Sequence, residues 1–207
     1  MDNHLLNGYD EFLRDNRIKV NRYLNYVLWF FILTGPAIAL GVRNGVFPDI
    51  EYMTCFYISL MVLFLSLIHF ILYKVFPTSP VTCLFAVTAL DIIIVYMSYN
   101  HVSIRLTWFL VPMLSILFYE KYMFFYAVML NYTLMFITVW MTTPYYVVRY
   151  RYDSVAECFA DMIGGYTIET AIMVASGYII CKIISQEKKN NNVLIKILLI
   201  FQLLLLA

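Results

Sequence analysis

The chain has 207 residues, 63% of them apolar and only 13% charged, with 18 Tyr, 16 Phe and 3 Trp. A soluble domain is about a quarter charged, and half that share is too little to cover a water-facing globule. This excludes a soluble enzyme, a disordered chain and a disulfide-stapled secreted scaffold, and a net charge of +1 without a basic cluster argues against nucleic acid as a partner.

Residues 1–22 are polar and carry Arg14, Arg17, Lys19 and Arg22, with Leu5, Leu6, Tyr9, Phe12 and Leu13 at helical spacing. They read as a cytoplasmic lead-in, either an amphipathic helix on the membrane surface or a solvated, frayed one. The apolar run that follows is about 20 residues long and lacks a small-residue cleavage site, so a cleavable signal peptide is not expected.

Six runs then follow: Tyr23–Val42, Tyr52–Leu72, Val81–Tyr99, His101–Tyr119, Tyr122–Met141 and Met162–Cys181. Each holds 19 to 21 residues, enough at about 1.5 Å per residue to cross roughly 30 Å of hydrocarbon. The expected fold class is therefore all-α, a polytopic bundle of six transmembrane helices over residues 23–182. The fourth run is the weakest, because His101, Ser103 and Arg105 occupy its first turns and only Leu106–Tyr119 is free of charge.

Counting basic residues on alternate sides orients the bundle. Arg14, Arg17, Lys19, Arg22, Lys74, Lys121, Lys182, Lys188 and Lys189 make nine on one side, against four (Arg43, Arg105, Arg149 and Arg151) on the other. The expectation is a multi-pass protein of the inner (plasma) membrane with both termini cytoplasmic. Tyr145, Tyr146, Tyr150 and Tyr152 then form an exterior interfacial belt.

Ser154 followed by Glu157 is a capping-box pattern. It predicts that the sixth helix starts near Val155 and leaves the membrane near Lys182. Residues 183–207 read as a polar exit, Gln186-Glu187-Lys188-Lys189, and a short apolar tail, Val193–Ala207. At about 1.5 Å per residue that tail is too short to span upright, so it lies in the interface or belongs to something longer.

For chemistry, the sharpest signal is a polar layer: Asp91 in the third span, Asn131 in the fifth and Glu169 in the sixth, all at similar expected depth. Intramembrane carboxyls face a bundle interior or a wet cavity. The low dielectric penalises their charged form, and Arg105 is the only cation within reach. The layer reads as a signal-sensing or proton-responsive cluster or, equally, as interhelical hydrogen-bond glue. An exterior rim of Tyr146, Tyr150, Asp153, Glu157 and Asp161 fits a cationic or aromatic ligand, and an interfacial belt explains it as well. Cys55, Cys83, Cys158 and Cys181 lack CxxC spacing, so neither metal nor cofactor is expected. A Cys55–Cys158 disulfide competes with plain packing for those two thiols. Pro36 and Pro112 each interrupt a span and free a carbonyl. No phosphate loop, HExxH or GxSxG is present, so no enzyme activity is expected.

Asn21-Arg22-Tyr23-Leu24-Asn25, Thr34-Gly35-Pro36, Leu106-Thr107-Trp108-Phe109-Leu110-Val111-Pro112 and Asp161-Met162-Ile163-Gly164-Gly165 resemble the multi-pass sensor regions of bacterial signalling proteins. The resemblance covers roughly residues 1–190. It is to the membrane region that precedes a GGDEF diguanylate cyclase, and less to that of a chemoreceptor or histidine kinase. It implies a signal-input module, with the bilayer and a homodimer mate or cytoplasmic output protein as partners. No output domain follows Lys189, so the resemblance implies no catalysis by this chain. A small proton-coupled transporter and a membrane-embedded structural subunit are the competing classes.

Overall fold

A computed structural model describes residues 3–102 and 107–205, with the side chains of 11–102, 108–184, 186 and 187. Among the described residues every regular element is helical: α1 (Asn3–Phe31), α2 (Thr34–Arg43), α3 (Tyr52–Val75), α4 (Pro80–Tyr99), α5 (Thr107–Ser115), a single 3-10 turn (Ile116–Phe118), α6 (Lys121–Tyr150) and α7 (Val155–Leu205).

Five stretches are long and apolar enough to cross a membrane: Glu11–Arg43, Tyr52–Val75, Pro80–Tyr99, Lys121–Tyr150 and Val155–Ile184. Their outward faces carry Phe30, Phe56, Phe64, Ile71, Ile137 and Trp140, an apolar coat suited to lipid rather than water. The protein is accordingly a membrane-embedded helical bundle. The fourth expected span is matched in part: among the described residues Trp108–Phe118 is a shorter apolar helix, reaching about 16 Å at 1.5 Å per residue. Pro112 lies inside it, where the missing N–H weakens a longer helix. Even so, His101 and Glu120 themselves sit at opposite ends of the bundle. His101 packs on Tyr145, whereas Glu120 binds Arg17, and these partners mark opposite ends.

The first expected span is two helices. Proline at 36 has no N–H for the Ile32 carbonyl, and the helix breaks at residues 32 and 33. The freed carbonyl is answered from α3, where the Ser59 hydroxyl donates to it at 3.1 Å. Gly35 permits that approach, because a Cβ there would collide with the Ser59 hydroxyl and the Cys55 carbonyl. Upstream, the polar lead-in is no separate element. Residues 3–31 form one helix, and Asn16, Arg17, Asn21 and Asn25 all bond to other elements of the bundle.

Helix α4 is the axis of the core. Ser79 caps its start, accepting from the Val81 N–H at 3.2 Å, and Pro80 occupies the first turn. Cys83, Ala86, Val87, Ala89, Leu90, Ile93 and Ile94 are buried on it. It packs on α1, α3, α5 and α6, and the fully buried Ala86 and Ala89 let neighbouring backbones come close.

Helix α7 is the opposite case. It starts at Val155, where Ser154 Oγ accepts the Glu157 N–H at 3.1 Å, matching the capping pattern in the sequence. It packs mainly on α6, with Gly177 seated against the Phe124 ring, and most of its described side chains are exposed. It does not stop at Lys182. Exit and tail continue the same helix to Leu205, for 51 residues.

Candidate functional site

The expected polar layer is only partly assembled. Asp91 on α4 is completely buried, and the Asn131 amide on α6 donates to its Oδ1 at 2.7 Å. Asp91 Oδ2 has no hydrogen-bond partner among the described residues. Glu169 is corrected: it is exposed on α7 rather than turned into the bundle. Its helix touches the core along one narrow stripe, and residue 169 is not on it. Arg105 lies outside the described residues. What remains is a single hydrogen bond that fixes α4 against α6 inside the apolar core, a pairing typical of membrane bundles.

A second cluster closes the end at His101. The Tyr145 hydroxyl donates to Asp49 Oδ2 at 2.8 Å, and the Arg149 guanidinium donates to the same oxygen and, at 2.8 Å, to the Tyr145 hydroxyl. The His101 ring stacks on Tyr145 at 3.7 Å and meets Tyr146 edge-on at 6.0 Å. His101 holds a left-handed backbone, with φ of 62°, a conformation that costs energy in a residue with a Cβ. Its Nδ1 is buried without a hydrogen-bond partner among the described residues. The Tyr145 hydroxyl and then the Arg149 guanidinium hold the Asp49 carboxyl below its ordinary value, while burial pushes the His101 imidazole down. Cavities of about 560 Å³ and about 180 Å³ open here, and both are lined by Asp49, Ile50, His101 and Tyr145.

The third place is a groove of about 370 Å³ between the end of α6 and the start of α7, lined by Tyr150, Tyr152, Asp161, Met162, Gly165, Tyr166 and Glu169. Tyr152 Oη donates to Asp161 Oδ2 at 2.6 Å. Farther along the same interface, the Tyr132 and Thr167 hydroxyls are bonded at 2.8 Å, and Phe159 lies edge-on to both Phe136 and Trp140. Of the expected exterior rim, Tyr150 and Asp161 line this groove. Tyr146 lines the smaller cavity beside His101. Asp153 and Glu157 are exposed and line none of these three spaces.

No protein-family model, curated protein or solved structure matches this chain.

All four cysteines carry free thiols, so Cys55 and Cys158 are not joined. Among the described residues no three His, Cys, Asp or Glu side chains gather as a metal site. Sequence reading missed Asp49 and His101 as members of a cluster, because each sits alone in a short loop and they meet only through α6. It also missed the far end. There Arg17 grips Glu120 through two bonds of 2.6 and 2.8 Å, and also reaches the Tyr122 hydroxyl at 3.0 Å and the Thr78 carbonyl at 3.3 Å. The usable signal was Glu120 itself, an acid between two apolar runs.

Proposed function

We propose that the chain is an integral membrane signal-input module of the plasma membrane. In this reading the chain crosses six times with both termini in the cytoplasm, the short α5 and its 3-10 turn making the fourth crossing. The excess of Lys and Arg on the side of Arg17 and Lys182 supports that orientation. One observation carries the reading: α7 both lines the groove at its start and runs on unbroken for 51 residues. At about 1.5 Å per residue that is roughly 77 Å, more than twice a bilayer's hydrocarbon core. A helix of that length connects an event in the groove to the cytoplasm without an intermediary.

A ligand acts on such a module only through its different affinity for two helix arrangements. The groove suits this, because its walls come from two helices whose relative tilt changes its width. The resemblance to bacterial sensor regions points the same way, and the output belongs to another polypeptide or a continuation. No catalysis is assigned to the chain itself.

A cytoplasmic enzyme reporter fused after Lys189 tests the reading. Reporter activity should respond to ligands applied outside, and the response should be lost in Glu169→Gln. A reporter indifferent to external pH, to ligands and to that substitution sinks the proposal in favour of a structural subunit. Solute flux into proteoliposomes that Asp91→Asn abolishes would instead mark a transporter.

A further inference from the structure

We infer that the α6–α7 groove binds a linear aliphatic di- or polyammonium ion. The inference rests on the input reading for its biological role and on the groove itself for its chemistry.

Asp161, Gly165 and Glu169 are four residues apart and form one row along α7, since side chains at i and i+4 share a helix face. The two carboxyl-bearing positions are separated by about 12 Å of axial rise. Between them Gly165 leaves a gap, because a Cβ built there meets no atom within 4 Å. Gly35 and Gly177 differ, each abutting a neighbouring helix. Nothing inside the chain requires residue 165 to be small, and the groove floor is the side chain it lacks.

The walls suit a cation. The lining holds two carboxyls and the rings of Tyr150, Tyr152 and Tyr166, and among the described residues no Lys, Arg or His. The smaller cavity beside His101 contains Arg149, which repels cations. Tyrosine faces attract ammonium groups through the ring quadrupole. Glu169 makes no hydrogen bond or ion pair among the described residues, whereas Asp161 already accepts from Tyr152. Among the described residues Glu169 is thus the groove carboxyl left without a counter-charge, about 21 Å along α7 from Val155 on a lipid-facing helix.

Spacing selects among cations. A divalent metal needs several oxygens within about 2.6 Å, which carboxyls a dozen ångströms apart cannot jointly supply. A chain with an ammonium group at each end and methylenes between them matches acid, apolar floor and acid in order. It would bridge Asp161 and Glu169 while its middle lies over Gly165 and Met162.

The test uses the full chain in nanodiscs of zwitterionic lipid, with empty nanodiscs as the control. Calorimetry or labelled-ligand binding compares spermidine and 1,8-diaminooctane with butylamine and with magnesium. The diammonium compounds should bind saturably, about ten-fold or more tighter than butylamine, and both Glu169→Gln and Gly165→Leu should weaken them by a similar factor. Asp161→Asn should weaken them less. The Gly165→Leu helix has room for its Cβ, and circular dichroism checks that it folds. Should it not fold, the exposed Glu169→Gln variant decides alone. Equal binding by Gly165→Leu and wild type overturns the inference, as does butylamine or magnesium matching the diamines, or a lack of saturable binding. Diamine binding with a silent reporter leaves this site standing and sinks the input reading. A reporter that answers other ligands while no diamine binds does the reverse.

Discussion

The two ends of the bundle are closed by the same chemistry in different surroundings. At one end Arg17 pairs with Glu120 beside the Tyr122 hydroxyl, and at the other Arg149 pairs with Asp49 beside the Tyr145 hydroxyl. The first pair is 15% and 2% exposed at its side chains, and the second 45% and 44%. Burial removes the competing water, so the first pair fastens α1 to the α5–α6 turn and the α3–α4 loop. Exposure leaves the second pair in exchange with solvent. The three cavities described above all lie toward the exposed pair. The comparison teaches that an ion pair's position, not its identity, decides whether it locks an end or leaves it free to rearrange.

The contrast yields a descending series of effects. Glu120→Ala strands the Arg17 guanidinium and should cost about 3–5 kcal/mol, read by reversible unfolding in mixed micelles. A loss no larger than at the exposed pair would erase the distinction between the ends. Midway between them, Asp91→Leu orphans the Asn131 amide and should cost about 1–3 kcal/mol, whereas Asp91→Asn keeps a bonding partner and should cost less than about 1 kcal/mol. At the open end, Asp49→Asn and Arg149→Gln should lower the unfolding midpoint least of all, and high salt should mimic them.

Those two substitutions should instead be seen in the titration of His101, followed by the NMR signals of its ring. Burial holds His101 below its ordinary value of 6.5, with Asp49 opposing that shift and Arg149 reinforcing it. Asp49→Asn should therefore lower the midpoint further, and Arg149→Gln should raise it. Because the folded state favours the neutral ring, this residue's contribution to stability is intact above pH 6.5. It declines as acid protonates the unfolded chain first, and levels off below the folded-state value. Asp49 acts later: its contribution holds above the ordinary carboxylate range and is lost as pH falls through its lowered value.

Long apolar runs were readable in the sequence because lipid imposes length and composition on each helix independently of its neighbours. Helices α3, α4, α6 and the start of α7 follow from that constraint, as does the capped start at Val155. The fourth run is matched only in part for a local reason: Pro112 lies inside the short α5, and a 3-10 turn follows it. The facing of a side chain was not readable. Asp91 and Glu169 have similar expected depth, and only tertiary packing turns one into the core and the other outward. A pattern period cannot resolve this in a helix apolar on all sides. Asp49, His101 and Arg149 lie in three separate parts of the chain, and no spacing rule connects them.

The Ser59 hydroxyl bond to the Ile32 carbonyl bears on how the molecule is made. A carbonyl without a donor in the hydrocarbon costs on the order of several kcal/mol, and Pro36 makes this one an orphan within its own helix. Its donor lies 27 residues downstream, on α3. The broken first segment therefore settles in lipid only once α3 arrives beside it. The broken segment and α3 thus act as one unit of assembly, and a Ser59→Ala chain should insert less efficiently and be degraded faster than wild type.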